Sequence, residues 1–478
     1  MMLSLPSLTQ FAGAALGLVV GALASLLPVP LSLGLLALAL LAVCMWLTPL
    51  ASLVALLVLA PLRVLILTES SFQLPLDIGQ ILFAVLLAVR VLHLVSERQP
   101  FVIRLAAVHT PLLILIGVSM FTVFVTNALT VTLTEVIKWL SMLIVAHYIS
   151  LEAHAGKWRW IVAALILAGV ANALVGIYIF FGGSGALHLL VLERYFRAFG
   201  TFGQPNPFGG FLAILFPLAF CMLLDAIYRL WSARSVLWLV LTGFYACAVL
   251  LLAAGVFVSW SRGAWLSLIA AMVGVVFALP RRTFISFAVS LIAVGLFVGA
   301  YTFNLIPQSV VARLASSTSD FFAFQDMRGI DITTDNYAVA ERLAHWQAAL
   351  NMAEANPLGV GLGNYEVVYD QYRLLAWKFP LGHAHNYYLN ILAEAGIIGL
   401  LAYLFFMGHN LVMCWYARAL PAVGIRLLAT GLWGAWLYLV FHSFLDNLYV
   451  NNLFLHIGAI LGLSYFVYHS AYGAKRVE

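Results

Sequence analysis

Apolar runs long enough to cross a lipid bilayer recur through almost the whole chain, and that recurrence leaves few folds open. A spanning helix needs about 20 apolar residues. Candidate runs lie near residues 9–28, 31–48, 50–67, 78–96, 109–127, 131–150, 160–182, 206–227, 236–259, 264–280, 284–306, 386–413, 427–444 and 453–471. The first three are crowded and broken by Pro28, Pro30, Pro49 and Pro61, so one pair fits a re-entrant or interfacial feature as well as a span. The expectation is an all-α polytopic integral membrane protein with 12–14 transmembrane helices. Composition excludes the alternatives: of 478 residues 64% are hydrophobic and 9% charged, against roughly 25% charged in soluble domains. A soluble globule buries only about three quarters of its unfolded surface and cannot hide this much apolar area.

Charge sets the expected orientation. Arg98 and Arg104, Lys157 and Arg159, Arg229 and Arg234, Arg281 and Arg282, Arg418 and Arg426, and Lys475 and Arg476 fall on one side if the spans alternate. By the positive-inside rule that side is cytoplasmic, and both termini lie there. The basic residues are scattered in pairs at helix ends, so the net charge of +5 does not indicate nucleic acid. No basic n-region marks a cleavable signal peptide at the N-terminus. Cys44, Cys221, Cys247 and Cys414 sit in apolar runs and read as free thiols.

The opposite side receives one long hydrophilic stretch, residues 307–385, with five basic and eight acidic residues. Residues 336–356 read as an amphipathic helix, with Ala338, Leu343, Trp346, Leu350 and Met352 near a helical period. Pro357 ends it, and a glycine-rich turn follows to Tyr365. Three regions result: transmembrane helices over 1–306, a long outer loop with amphipathic helices over 307–385, and C-terminal transmembrane helices over 386–478.

Three places on the outer side could carry chemistry. The segment Glu193–Phe211 holds Arg194 and Arg197, and Asn206 is placed to cap the next helix. The segment Ser259–Ser267 puts Arg262 in a minimal turn between two spans. The segment Gly382–Gly399 puts His383, His385 and Asn386 at the mouth of a span. An arginine at a helix end often only reaches toward headgroups, but Arg262 on the outer side runs against the orientation rule. His383 and His385 form an H-x-H pair without an evident third metal ligand. Glu394 reads as a structural hydrogen-bonding group.

Arginine grips phosphate oxygens bidentately and keeps its charge. A histidine can take a proton from a hydroxyl. Together they suit displacement of a phosphate or diphosphate leaving group by an alcohol. No Asp-x-Asp pair holds Mg²⁺, and no carboxylate is evident beside the arginine–histidine set. The donor is therefore expected to be a lipid-linked, diphosphate-activated molecule, used without metal or cofactor.

At these residues the chain resembles the O-antigen ligase family. His385-Asn386, nine residues, then Gly396 and Gly399 resemble its H-N/S-x9-G-x2-G pattern. RAFGTFGQPNPFGG (Arg197–Gly210) and SRGAW (Ser261–Trp265) are similar to its two arginine motifs, and Trp346 to Tyr365 to its loop signature. The resemblance covers roughly residues 195–400. It implies a GT-C-like helical glycosyltransferase bundle, free of metal. The implied donor is O-antigen on undecaprenyl diphosphate, the acceptor lipid A–core oligosaccharide, and the site the periplasmic face of a Gram-negative inner membrane. By matching motifs His385 is the general base, and Arg197 and Arg262 clamp the diphosphate. Arg194, Asn386 and His383 are further candidate substrate contacts. An O-antigen or exopolysaccharide polymerase, a protein O-oligosaccharyltransferase and a lipid-linked glycan transporter remain open readings.

Overall fold

A computed structural model describes residues 42–43, 48–69, 76–98, 105–154, 156–183, 186–280, 283–306 and 337–472, together with positions 308, 311, 327, 328 and 332. Helix α1 (Pro49–Leu59) passes through a 3₁₀ turn at Ala60–Leu62 into α2 (Arg63–Glu69), and α3 (Ile78–Ser96), α4 (Thr110–Phe121), α5 (Leu129–Glu152) and α6 (Trp158–Tyr178) follow. A two-stranded antiparallel hairpin, β1 (Leu190–Val191) and β2 (Tyr195–Phe196), precedes α7 (Pro205–Ala233), α8 (Val236–Val258), α9 (Arg262–Ala278) and α10 (Thr283–Thr302). The remainder is α11 (Tyr337–Ala355), α12 (Tyr365–Tyr372), α13 (Tyr387–Ala417), α14 (Val423–His442) and α15 (Leu453–Tyr472).

Among the described residues 11 helical segments are long and apolar enough to cross a membrane, and Arg262–Ala278 is a shorter apolar helix. These account for every expected run from residue 50 onward. The run 9–28 and nearly all of 31–48 lie outside the described residues. The protein is an all-α polytopic membrane protein. Cys221 and Cys414 are buried free thiols, and Cys247 is an exposed one.

The chain divides into two units, residues 1–56 with 74–103, and residues 57–73 with 104–478. In the first, α3 starts at a capping box in which Asp77 accepts from the Gln80 N–H and Gln80 answers the Asp77 N–H. The second holds the candidate site. Its centre is α7, packed against α8 and α14, while α15 packs on α5. Two glycines open the second turn of α7 to its neighbours: a Cβ at Gly209 would meet Ser259 Oγ at 2.7 Å, and one at Gly210 would meet Leu448 Cδ1 at 2.3 Å. The turns after α8 and α14 therefore close directly onto the start of α7.

The expected amphipathic helix is α11, but its buried stripe differs from the expected one. Ala340, Leu343, Ala344, Ala348 and Met352 are buried. The small alanines let Tyr365, Tyr369 and Trp377 pack close against the helix. The glycine-rich turn after α11 inserts into a break in α13. Gly396 has φ 67° and ψ −171°. Across the break the Val360 N–H donates to the Ala393 carbonyl (3.0 Å), the Gly361 N–H to the Glu394 carbonyl (3.0 Å), and the Ile397 N–H to the Pro357 carbonyl (3.4 Å). The far side of the turn is held by Asn364, whose Oδ1 accepts from the Ala128 N–H (2.7 Å) and whose Nδ2 donates to Thr132 Oγ1 (2.8 Å).

Candidate active site

Four segments converge on one polar cluster. The loop before α7 brings Arg197, the α8–α9 turn brings Arg262, the loop before α13 brings His383 and His385, and the turn after α14 brings Asp446. The Arg197 N–H donates to the Leu189 carbonyl (2.8 Å) and the Ala198 N–H to the Val258 carbonyl (2.9 Å), which fixes the first loop to the hairpin and to α8. Arg197 Nε then donates to the Ser259 carbonyl (3.3 Å) and Nη2 to Asn206 Oδ1 (3.4 Å).

Asn206 corrects an expectation. Gln204 is the N-cap of α7, and the Asn206 side chain instead joins the segments. Its Oδ1 also accepts from Ser261 Oγ (3.0 Å), and its Nδ2 donates to Asp446 Oδ2 (2.9 Å). Asp446 is the carboxylate that sequence reading missed. Its Oδ1 lies 3.4 Å from His385 Nδ1 and 3.5 Å from His383 Nε2, and it accepts the Asn447 N–H at 2.9 Å. Burial alone would raise the Asp446 carboxyl. The hydrogen bond from His385, the two imidazoles and the Arg342 charge outweigh that and hold it far below the ordinary carboxylate range.

The two histidines differ in their bonding. His383 Nδ1 accepts the backbone N–H of His385 (3.0 Å), so its hydrogen sits on Nε2 and points at Asp446. Burial lowers His383 to about 4, with Asp446 opposing and His385 and Arg342 adding to the fall. His385 presents Nδ1 to Asp446, which leaves Nε2 for a reacting group. Its backbone sits at φ 51°, a left-handed conformation that costs roughly 1–3 kcal/mol in a residue with a side chain. Trp260, two residues before Arg262, is held likewise at φ 54°. Asn386 caps α13, its Oδ1 accepting from the N–H groups of Tyr388 (3.1 Å) and Leu389 (3.2 Å).

The amphipathic helix adds two residues that its apolar pattern concealed. Arg342 is near enough to Asp446 and Arg262 for their charges to act on it, though burial is the largest influence and lowers its guanidinium. Arg197 is lowered to about 10 by burial first and then by Arg342 and Arg262, and it stays charged at neutral pH. Three guanidiniums thus lie within mutual electrostatic reach, which an anion between them would relieve. His345, one turn past Arg342, has its ring 5.9 Å from that of His385. The Tyr365 hydroxyl lies 2.9 Å from His345 Nδ1 and 3.2 Å from its carbonyl, and Tyr369 stacks on the ring at 4.9 Å.

Arg194 lies apart from this cluster. It is exposed on the turn between β1 and β2, with its guanidinium 5.5 Å from the Tyr195 ring. Glu394 is buried, and its Oε1 accepts the Tyr365 N–H at 3.2 Å.

His383, His385 and Asp446 could in principle hold a metal, since their ligand atoms lie within 4.8 Å of one another. The third ligand that the H-x-H pair lacked in sequence is therefore Asp446. The bonding does not favour an ion. A metal needs the His383 Nε2 lone pair, but the His385 N–H on Nδ1 keeps a hydrogen there, and the Arg342 charge acts on both His383 and Asp446.

Residues 247–404 match the family model described as O-antigen ligase. Over that stretch the chain is similar to O-antigen ligases. The matched stretch takes in Arg262, Arg342, His345, His383 and His385 of the cluster, whereas Arg197, Asn206 and Asp446 lie outside it. That likeness points to lipid-linked polysaccharide as the substrate class and to membrane lipid as the surroundings. No curated protein matches the chain.

Proposed function

We propose that the protein is a metal-independent, inverting O-antigen ligase that moves O-antigen from undecaprenyl diphosphate onto lipid A–core oligosaccharide. The observation that carries this reading is the three-arginine cluster of Arg197, Arg262 and Arg342 beside the His385–Asp446 pair. Fixed positive charge beside a basic imidazole suits a diphosphate leaving group and a hydroxyl nucleophile.

The acceptor hydroxyl attacks the anomeric carbon from the face opposite the diphosphate. The new carbon–oxygen bond forms as the bond to the diphosphate oxygen breaks. Undecaprenyl diphosphate leaves with that electron pair, and its charge falls to the arginines. The hydroxyl proton passes to His385 Nε2 while Asp446 holds Nδ1–H and stabilises the imidazolium. His383 and Asn386 keep this loop and helix end in place beside the substrates, and Arg194 contacts the donor or headgroups at the rim.

The charge asymmetry of the loops supports a periplasmic site between a bundle of residues 1–306 and 386–478 and the loop 307–385, with both termini in the cytoplasm of a Gram-negative cell. Purified protein incubated with donor and lipid A–core tests the proposal. Glycan on lipid A–core, with the anomeric configuration inverted by NMR, is the expected product. Longer lipid-linked chains would make the protein a polymerase, and a retained configuration would remove the single displacement.

A further inference from the structure

A concave site separate from the polar cluster lies beside α11 and α12. A cavity of about 560 Å³ is lined by Asn351 of α11, Gln371 and Tyr372 at the end of α12, Arg373 and Trp377 of the following turn, and Arg328. Its volume falls within the roughly 300–1,000 Å³ of small-molecule sites. None of the residues assigned to the transfer chemistry lines it.

The lining has a definite chemistry. Its charged members are both arginines. Arg373 is held in place by an ion pair to Asp370 through Nε and by Nη1 donating to the Leu375 carbonyl (3.1 Å). Asn351 Nδ2 donates to the Tyr372 carbonyl (3.0 Å), which ties α11 to the end of α12 and makes one wall rigid. Trp377 and Tyr372 supply aromatic surface, and Asn351 and Gln371 supply amides. Leu375 stands 89% exposed at the rim, a large apolar side chain open to contact from a ligand. Aromatic faces take the C–H surface of a sugar ring, amides take its hydroxyls, and guanidiniums take an acidic substituent. A bare phosphate would leave the aromatic wall unused.

We propose that this cavity binds an anionic oligosaccharide, a stretch of one of the two substrate glycans beyond the reacting sugar. The inference rests on the transfer reaction proposed above. The placement fits it: Asn351 follows His345 by six residues, about 9 Å of helix rise, and the His345 ring is 5.9 Å from that of His385. One rigid helix thus carries both the neighbourhood of the base and the wall of the cavity.

The test uses full-length protein in nanodiscs and three soluble probes: deacylated core oligosaccharide with its phosphates, the same oligosaccharide after phosphatase, and polysaccharide released from the donor. Equilibrium binding is measured on otherwise native protein and on His385→Ala, which cannot turn over. One of the two native glycans is expected to bind, and Arg328→Ala and Gln371→Ala, both exposed positions, should each weaken it about ten-fold, or 1.4 kcal/mol. If the core is the ligand, phosphatase treatment weakens it as well. If the donor polysaccharide is the ligand, core does not compete. In the transfer assay the same variants should raise KM for that substrate about ten-fold and leave kcat within about two-fold. Failure of both native glycans to bind, equal binding to native and variant protein, or, where core is the ligand, undiminished binding after phosphatase would overturn the proposal. Variant-sensitive binding in a protein that transfers nothing would keep the cavity and remove the reaction instead.

Discussion

Asp446 Oδ1 lies 3.4 Å from His385 Nδ1, although 61 positions and two membrane helices separate the residues in the chain. The carboxylate acts on the imidazole by fixing Nδ1–H, so that Nε2 is the nitrogen left to accept a proton. Asp446→Asn should keep the fold and lower kcat about 10²-fold or more, since an amide can turn its N–H toward Nδ1 and favour the opposite tautomer. His385→Ala should abolish transfer, and His383→Ala should cost less. Near-native turnover in purified Asp446→Asn protein would remove the orienting role.

Arg197→Lys and Arg262→Lys should both leave transfer well below the native rate. An ammonium is a point charge and cannot grip two phosphate oxygens as a planar fork does. Arg194→Lys should be mild, in keeping with its exposed place on the hairpin turn. Steady-state rates on the three purified variants decide this, and native activity in both Arg197→Lys and Arg262→Lys would discard the diphosphate clamp.

Activity should survive excess EDTA. The arginines supply the positive charge that a divalent ion would otherwise bring to the leaving group, and the hydrogen on His383 Nε2 occupies the position that a metal would need. Activity lost in EDTA and restored by Mg²⁺ or Zn²⁺ would mean that His383, His385 and Asp446 hold an ion during turnover.

Acid should destabilise α11 through His345. Burial, with smaller contributions from His385 and His383, lowers this histidine from 6.5 to about 3. Below about pH 6.5 the unfolded chain takes up a proton that the folded protein refuses, so stability falls as pH falls and continues to fall toward the folded value. Each such histidine contributes a slope of up to about 1.4 kcal/mol per pH unit. Melting temperatures of native and His345→Gln protein between about pH 4 and 7 should therefore converge as the pH drops. Parallel curves would show that His345 is not the group responsible.

Gly396→Ala should destabilise the protein by at least about 2 kcal/mol, because φ 67° with ψ −171° is a region essentially reserved for glycine. A Cβ there would also meet the Pro357 carbonyl oxygen at 2.3 Å. A thermal melt within about 1 °C of native, at which a destabilisation of that size would be plain, would rule out strain at this position.

The membrane helices were legible because an apolar run of fixed length has one stable form in lipid, and Arg197, Arg262 and His385 were legible because they stand at the ends of such runs. Asp446 was not, because its partner lies two helices away and sequence spacing carries no trace of that contact. A local signal did exist: Asp446, Asn447, Asn451 and Asn452 crowd a short turn between two apolar helices, more polarity than a connection alone requires. Arg342 and His345 were hidden by a pattern drawn from apolar residues, although their spacing of three puts them on one side of the helix. Position alone makes Asn206 a cap, and only the convergence of Arg197, Ser261 and Asp446 on its side chain reveals its use.

The break in α13 bears on how the protein is held together. A helix entering a bilayer must satisfy its own backbone, and the native bend leaves the Ala393 and Glu394 carbonyls to be met by Val360 and Gly361. An unbroken helix here would leave the Val360 and Gly361 N–H groups without these acceptors. Only with the preceding glycine-rich turn in place does the bent form gain its outside partners. The turn and the break are therefore one structural unit, and the histidine loop stands directly before the helix that they shape.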